Sequence, residues 1–119
     1  MIARADERIA AGDPAGAARL LDGYLAGADA DATAGLAAFL LGRIAQDSLG
    51  EPDRAAAAFG RVLAIGSPRA VQEEALARRA TAFVRGGRDA QAHDAARRYL
   101  ARYPDGPRAR AMTALLAAP

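Results

Sequence analysis

The clearest pattern in the chain is a helical spacing of apolar residues between positions 87 and 104. The apolar residues that recur there at steps of three and four are Ala92, Ala95, Ala96, Tyr99, Leu100 and Tyr103. This spacing places them on one face of an α-helix. Residues 12–27 and 50–66 repeat the pattern. A second helical stretch precedes each copy, at residues 2–11, about 32–49 and about 68–85. The chain is therefore predicted to be all-α.

The three amphipathic stretches are copies of one element. Aligning them on their opening glycines, Gly12, Gly50 and Gly87, gives separations of 38 and 37 residues. An alanine stands five residues after each glycine, a tyrosine or valine stands twelve after it, and a leucine thirteen after it. A fixed period of this length is typical of proteins built from stacked helical hairpins.

Each copy, with the helix before it, is predicted to form one hairpin of a single domain covering residues 1–119. Ser67 is predicted to cap the third hairpin, with Pro68 in its first turn. A last helix has no partner after it, so we expect it to cover the apolar end of the array. The predicted bounds are about 2–27, 32–66 and 68–103 for the hairpins and about 107–117 for the capping helix.

These residues resemble the tetratricopeptide repeat. That pattern places a small residue in the first helix, then a glycine turn, an alanine, an aromatic or apolar residue and a closing proline. The matching positions are Ala80, Phe83, Gly87, Ala92 and Pro104 in the third copy, Leu41, Gly42, Gly50, Ala55 and Phe59 in the second, and Ala5, Gly12 and Ala17 in the first. The second copy has one extra residue before its turn. The resemblance covers nearly the whole chain and implies a right-handed α-α superhelix of three hairpins plus the capping helix.

The same resemblance implies a function. Such arrays bind a peptide or helix of a partner protein in a concave groove that the first helix of each hairpin lines, without catalysis. By register, the groove residues are Asp6, Leu36, Phe39, Arg43, Gln46, Asp47, Arg78, Thr81 and Arg85. The apolar ones would supply affinity and the arginines would select an acidic ligand. The carboxylate clamp of chaperone-binding members is not expected, because the chain contains neither asparagine nor lysine.

The stretch "RRYLARYPDGPRA" at 97–109 is also similar to repeats of bacterial cell-envelope proteins. These include Tol-Pal-associated and outer-membrane-assembly lipoproteins and the tails of FecR-like regulators. This second resemblance implies a segment of a longer envelope protein, with a cytoplasmic chain as the alternative. It also leaves two other functions open. One is a structural spacer or homodimerisation module, and the other is a regulatory domain fused to an anti-sigma or enzyme module.

Charge and composition narrow the choice of partners. The chain has 16 basic residues, all arginine, against 14 acidic ones, which gives a net charge of +2. Aromatic residues are not interleaved with the arginines, so nucleic acid is not an expected partner. The longest apolar run, residues 35–42, is far shorter than the roughly 20 residues that span a bilayer. The chain has no cysteine, which excludes disulfides and thiolate metal sites.

Candidate chemistry is sparse, and no cofactor, metal site or enzymatic activity is predicted. His93 is the only histidine and is interpreted as a structural or surface residue. Neighbouring acidic residues such as Glu73 and Glu74 point apart on a helix, which favours a solvated face. One basic cluster could meet an acidic partner or could be surface charge that nearby carboxylates balance. It comprises Arg78, Arg79, Arg85, Arg97, Arg98 and Arg102.

Overall fold

The computed structural model describes residues 1–118, which form seven α-helices and no strand. The all-α prediction is therefore confirmed for these residues. The helices are α1 (Ile2–Ala10), α2 (Pro14–Ala26), α3 (Ala32–Arg43), α4 (Pro52–Ile65), α5 (Gln72–Arg85), α6 (Asp89–Arg102) and α7 (Ala109–Ala117). A π-helical turn, Ile44–Ser48, extends α3, and a 3-10 turn, Arg69–Val71, precedes α5.

Short polar side chains and prolines set several helix starts. The Asp13 carboxylate accepts a hydrogen bond from the Gly16 N–H at 2.9 Å, and Asp31 does the same for Ala34 at 2.9 Å. These acceptors satisfy amide groups that the first turn of a helix leaves free. The prediction for Ser67 is wrong, because the 3-10 turn follows Pro68 and no side chain caps it.

The three aligned glycines adopt the same backbone conformation. Gly12, Gly50 and Gly87 have φ angles of +78°, +60° and +72°. Side chains with a Cβ disfavour this left-handed region, which explains why each turn carries a glycine. After the first and third turns, the next N–H donates to the carbonyl five residues earlier, at 2.8 Å in both cases. The repeat in the sequence is therefore a repeat in local structure.

The π-helical turn absorbs the extra residue of the second copy. Eight residues separate the small residue Gly42 from Gly50, whereas seven separate the corresponding residues of the other two copies. The Leu49 N–H donates to the Ile44 carbonyl, five residues earlier, at 3.0 Å. A π turn holds one more residue than an α-helical turn, so the glycine turn that follows keeps its conformation.

Each helix packs against its neighbours in the chain, and the molecule is elongated, with extents of 40 × 26 × 21 Å. The alanine column is fully buried in all three copies, at Ala17, Ala55 and Ala92. One apolar core spans α1 to α4 and includes Ala75 and Ala82 of α5, and a second joins α5 and α6 to Met112 of α7. This is a helical repeat-like all-α fold with α7 packed on its last hairpin.

Candidate binding groove

Alternate helices line one side of the molecule through two adjoining cavities. A cavity of about 360 Å³ lies between α1 and α3, and one of about 390 Å³ lies among the end of α3, α5 and α7. Asp47 in the π-helical turn lines both cavities, so they form one continuous surface. We call this surface the groove. Its lining residues are Asp6, Ile9, Leu40, Arg43, Ile44, Gln46, Asp47, Ser48, Ala77, Arg78, Thr81, Arg85, Arg108, Ala111 and Met112.

Most of the residues that were assigned to a groove from their helical register line this surface. The seven polar or charged ones lie in the groove: Asp6, Arg43, Gln46, Asp47, Arg78, Thr81 and Arg85. The two apolar ones do not line it. Phe39 is buried and packs edge to face on Phe59 of α4, with ring centroids 5.9 Å apart, so it belongs to the core. Leu36 is 41% exposed on α3 but outside both cavities.

Arg78 is held by groups of the protein itself. Its Nε donates to the Glu74 carboxylate at 2.7 Å, and its Nη1 donates to the Gln46 side-chain oxygen at 3.0 Å and to Asp47 at 3.3 Å. The Gln46 amide nitrogen donates back to the Arg78 carbonyl at 3.4 Å. Arg78 therefore connects the second and third hairpins, and its charge is already balanced by carboxylates.

A second polar cluster joins the capping helix to α5 and α6. The Tyr99 hydroxyl donates to the Glu73 carboxylate and accepts a hydrogen bond from the Arg108 N–H at 2.9 Å. Arg108 also pairs with Glu73 at 2.5 Å and with Glu74 at 3.4 Å. Burial, reinforced by the hydrogen bond to Glu73, raises the pKa of the Tyr99 hydroxyl. The cluster fixes this end of the groove.

This cluster corrects the interpretation of Glu73 and Glu74 as a solvated face. Their side chains are 20% and 29% exposed, and each carboxylate pairs with an arginine. Sequence reasoning also missed Arg108 and Met112 as groove residues, since α7 was assigned only a covering role. The sequence feature that could have indicated this role is the charge of Arg108, at the start of the helix that follows the third hairpin.

Two groove arginines remain without such partners. Arg43 and Arg85 are exposed, and neither forms a salt bridge with any residue from 1 to 118. Arg43 lines the cavity beside α1, and Arg85 lines the one beside α7. The groove therefore offers one accessible guanidinium in each of its two cavities.

His93 is half-buried on α6, in a further cavity that it lines with Val84 and Leu115 and that adjoins the groove at Thr81. Across the described part of the chain, no three histidine, aspartate or glutamate side chains come close enough together to hold a metal ion. None of the helices in that part is both long and apolar enough to cross a membrane.

Comparisons with protein-family models, with curated proteins and with solved structures gave no match to this chain.

Proposed function

We propose that this chain is a non-catalytic protein-binding module of the tetratricopeptide-repeat type, a right-handed superhelix that holds a peptide or helix of a partner protein in the groove. The observation that best supports this is that α1, α3, α5 and α7 all contribute to one continuous surface. Stacked hairpins with this alternation create an extended surface that can follow a partner segment. The matching glycine turns support the repeat assignment.

The groove favours a ligand that combines apolar and acidic side chains. Ile9 and Leu40 supply apolar surface beside α1, and the exposed Ala111 supplies it on α7. Arg43 and Arg85 are the guanidinium groups available to a carboxylate of the ligand. The sequence predicted that Arg78 would also select an acidic ligand. Its ion pairs with Asp47 and Glu74 instead favour a structural role in the groove.

A charge-reversal experiment tests the proposal. The double variant Arg43→Glu/Arg85→Glu changes the two accessible groove arginines and leaves the Arg78 network intact. The matched control is Arg19→Glu/Arg69→Glu, which makes the same charge change at exposed positions that do not line the groove. Each purified protein is used to capture partners from native lysate, and the captured proteins are quantified by mass spectrometry.

We expect at least one protein to be captured by the wild type and the control and lost with the groove variant. Equal capture by all three would contradict the groove assignment. Capture of nothing, together with a mass that rises with protein concentration in sedimentation equilibrium, would favour the homodimerisation module instead. A concentration-independent monomer that captures nothing would favour the spacer.

A further inference from the structure

A second arginine site lies outside the groove, between α5 and α6. Adjacent residues on a helix point about 100° apart, and Arg79 consequently faces away from the groove that Arg78 lines. It borders a cavity of about 420 Å³ whose lining also includes Phe83, Gln91, Asp94 and Arg98. The six arginines of the predicted basic cluster are thus not one surface. Two line the groove, two line this cavity and two line neither, and the function proposed above uses only the groove.

The guanidinium of Arg79 is fixed in a flat orientation against α4. A Cβ built on Gly60 would lie 3.2 Å from Nη2, 3.3 Å from Cζ and 3.3 Å from Nε. Three nearly equal distances mean that the face of the guanidinium is turned toward the position of that Cβ, where any larger residue would crowd it. The Cζ atom is also 5.1 Å from the centre of the Phe83 ring, a cation–π distance.

This guanidinium has no counter-ion in the part of the chain that the structure describes. Arg79 forms no salt bridge within residues 1–118, and its Nε is buried with no hydrogen-bond acceptor there. Burial lowers the pKa of the Arg79 guanidinium, the charge of Arg98 acts in the same direction, and Asp94 acts against both. A buried donor or cation with no partner costs folding free energy. The surroundings are therefore suited to an added negative charge.

The polar groups around the cavity carry one net positive charge. Asp94 forms a salt bridge with the Arg98 Nε at 2.9 Å, so these two exposed side chains balance each other. The net positive charge is therefore that of Arg79, and Gln91 adds an amide donor to the cavity lining. A planar guanidinium binds two oxygens of one anion through parallel N–H donors, and because Nε is enclosed, the two terminal nitrogens of Arg79 are the pair that would do so.

We propose that Arg79, Arg98 and Gln91 form a binding site for an oxyanion, a carboxylate or a phosphate group, on the α5–α6 surface. This site is separate from the groove, and its ligand does not depend on the groove having a partner.

The test is a titration of the whole chain followed by NMR, using the Arg79 side-chain Nε–H signal and the Gly60 backbone amide. Sodium phosphate and sodium acetate are added in separate series, each compared with sodium chloride at the same ionic strength. We expect a saturable shift of both signals that chloride does not produce. A response to phosphate alone identifies a phosphate site, and a response to acetate identifies a carboxylate site. Shifts no larger than those in chloride would overturn the proposal.

Variants identify the residues responsible, with Gly60 as the common reporter. Arg79→Gln should abolish the saturable shift. Arg79→Lys keeps the charge but loses the paired donors, so we expect about tenfold weaker binding, the loss of one charge-assisted hydrogen bond. Arg98→Gln should also weaken binding. Arg97→Gln is the control, because Arg97 is exposed on the same helix but does not line the cavity. If Arg97→Gln weakens binding as much as Arg98→Gln, the effect is long-range charge and no site exists.

Discussion

Replacing Gly42 with alanine tests the contact on which the second hairpin depends. A Cβ at this position would lie 2.6 Å from Cε1 of Phe59, well inside contact distance. The ring of Phe59 is fully buried and packed against Phe39, so it has little room to move. Overpacking of this kind costs about 1 to 3 kcal/mol. Alanine also favours the helix over glycine by about 1 kcal/mol, which offsets part of that cost.

Gly23 provides the matched control for this substitution. It lies inside α2, is exposed, and a Cβ there would meet nothing within 4 Å. Gly23→Ala should therefore gain the helix preference alone, about 1 kcal/mol. The difference between the two variants isolates the overpacking, since the change in helix preference is common to both.

Thermal unfolding followed by circular dichroism measures this difference. For a domain of this length, 1 kcal/mol corresponds to a Tm shift of about 4 °C. We expect Gly23→Ala to raise the Tm by about 4 °C and Gly42→Ala to lie about 4 to 12 °C below it. Equal Tm values for the two variants would refute the placement of the Phe59 ring against α3. If the Phe59 ring is placed correctly, adding Phe59→Leu to Gly42→Ala should recover part of the lost Tm, because the smaller side chain relieves the contact.

Two further predictions concern polar contacts. Tyr99→Phe removes the hydroxyl that donates to Glu73, and we expect a loss of about 1 to 2 kcal/mol in urea unfolding. Tyr103→Phe is its control, because the Tyr103 hydroxyl has no hydrogen bond within residues 1–118, and equal losses would contradict the role of the cluster. The Gly16 N–H, more than any other group, lowers the pKa of Asp13 below 3.8. The ionised Asp13 carboxylate therefore stabilises the fold above pH 3.8. This stabilisation is lost as the pH falls through the lower pKa that Asp13 has in the folded protein. Asp13→Asn, which can still cap, should therefore lose less stability than the wild type between pH 7 and pH 2, and parallel losses would refute the linkage.

The helices and turns could be predicted from the sequence because they depend on local features. A glycine at φ near +70° ends each first helix, and the apolar residues on either side have helical spacing. The register of Arg43 and Arg85 followed from the same periodicity. Two positions with large apolar residues were misjudged. Leu36 lies outside both cavities, and Phe39 is rotated toward the core and meets Phe59, a contact between two helices.

The remaining features of the candidate site depend on how helices cross, which a single sequence does not specify. Glu73 and Arg108 are 35 residues apart and meet only because α7 packs against α5 and α6. Arg78 and Arg79 are adjacent in sequence yet serve two surfaces. Gly60 gave no signal of its own, since its small size matters only where the side chain of Arg79 crosses α4.

The π-helical turn at Ile44–Ser48 lets the second hairpin differ in length from the other two without a change in its glycine turn. An inserted residue in an α-helix rotates every later side chain by about 100°, which would turn the core residues of the following helix outward. Here the insertion is confined to one turn, and the next glycine keeps the conformation of its two counterparts. Gln46 and Asp47 lie within that turn and line the groove. A repeat of this kind can therefore carry an extra residue in a turn that lines the surface without altering the glycine turn that leads into the next helix.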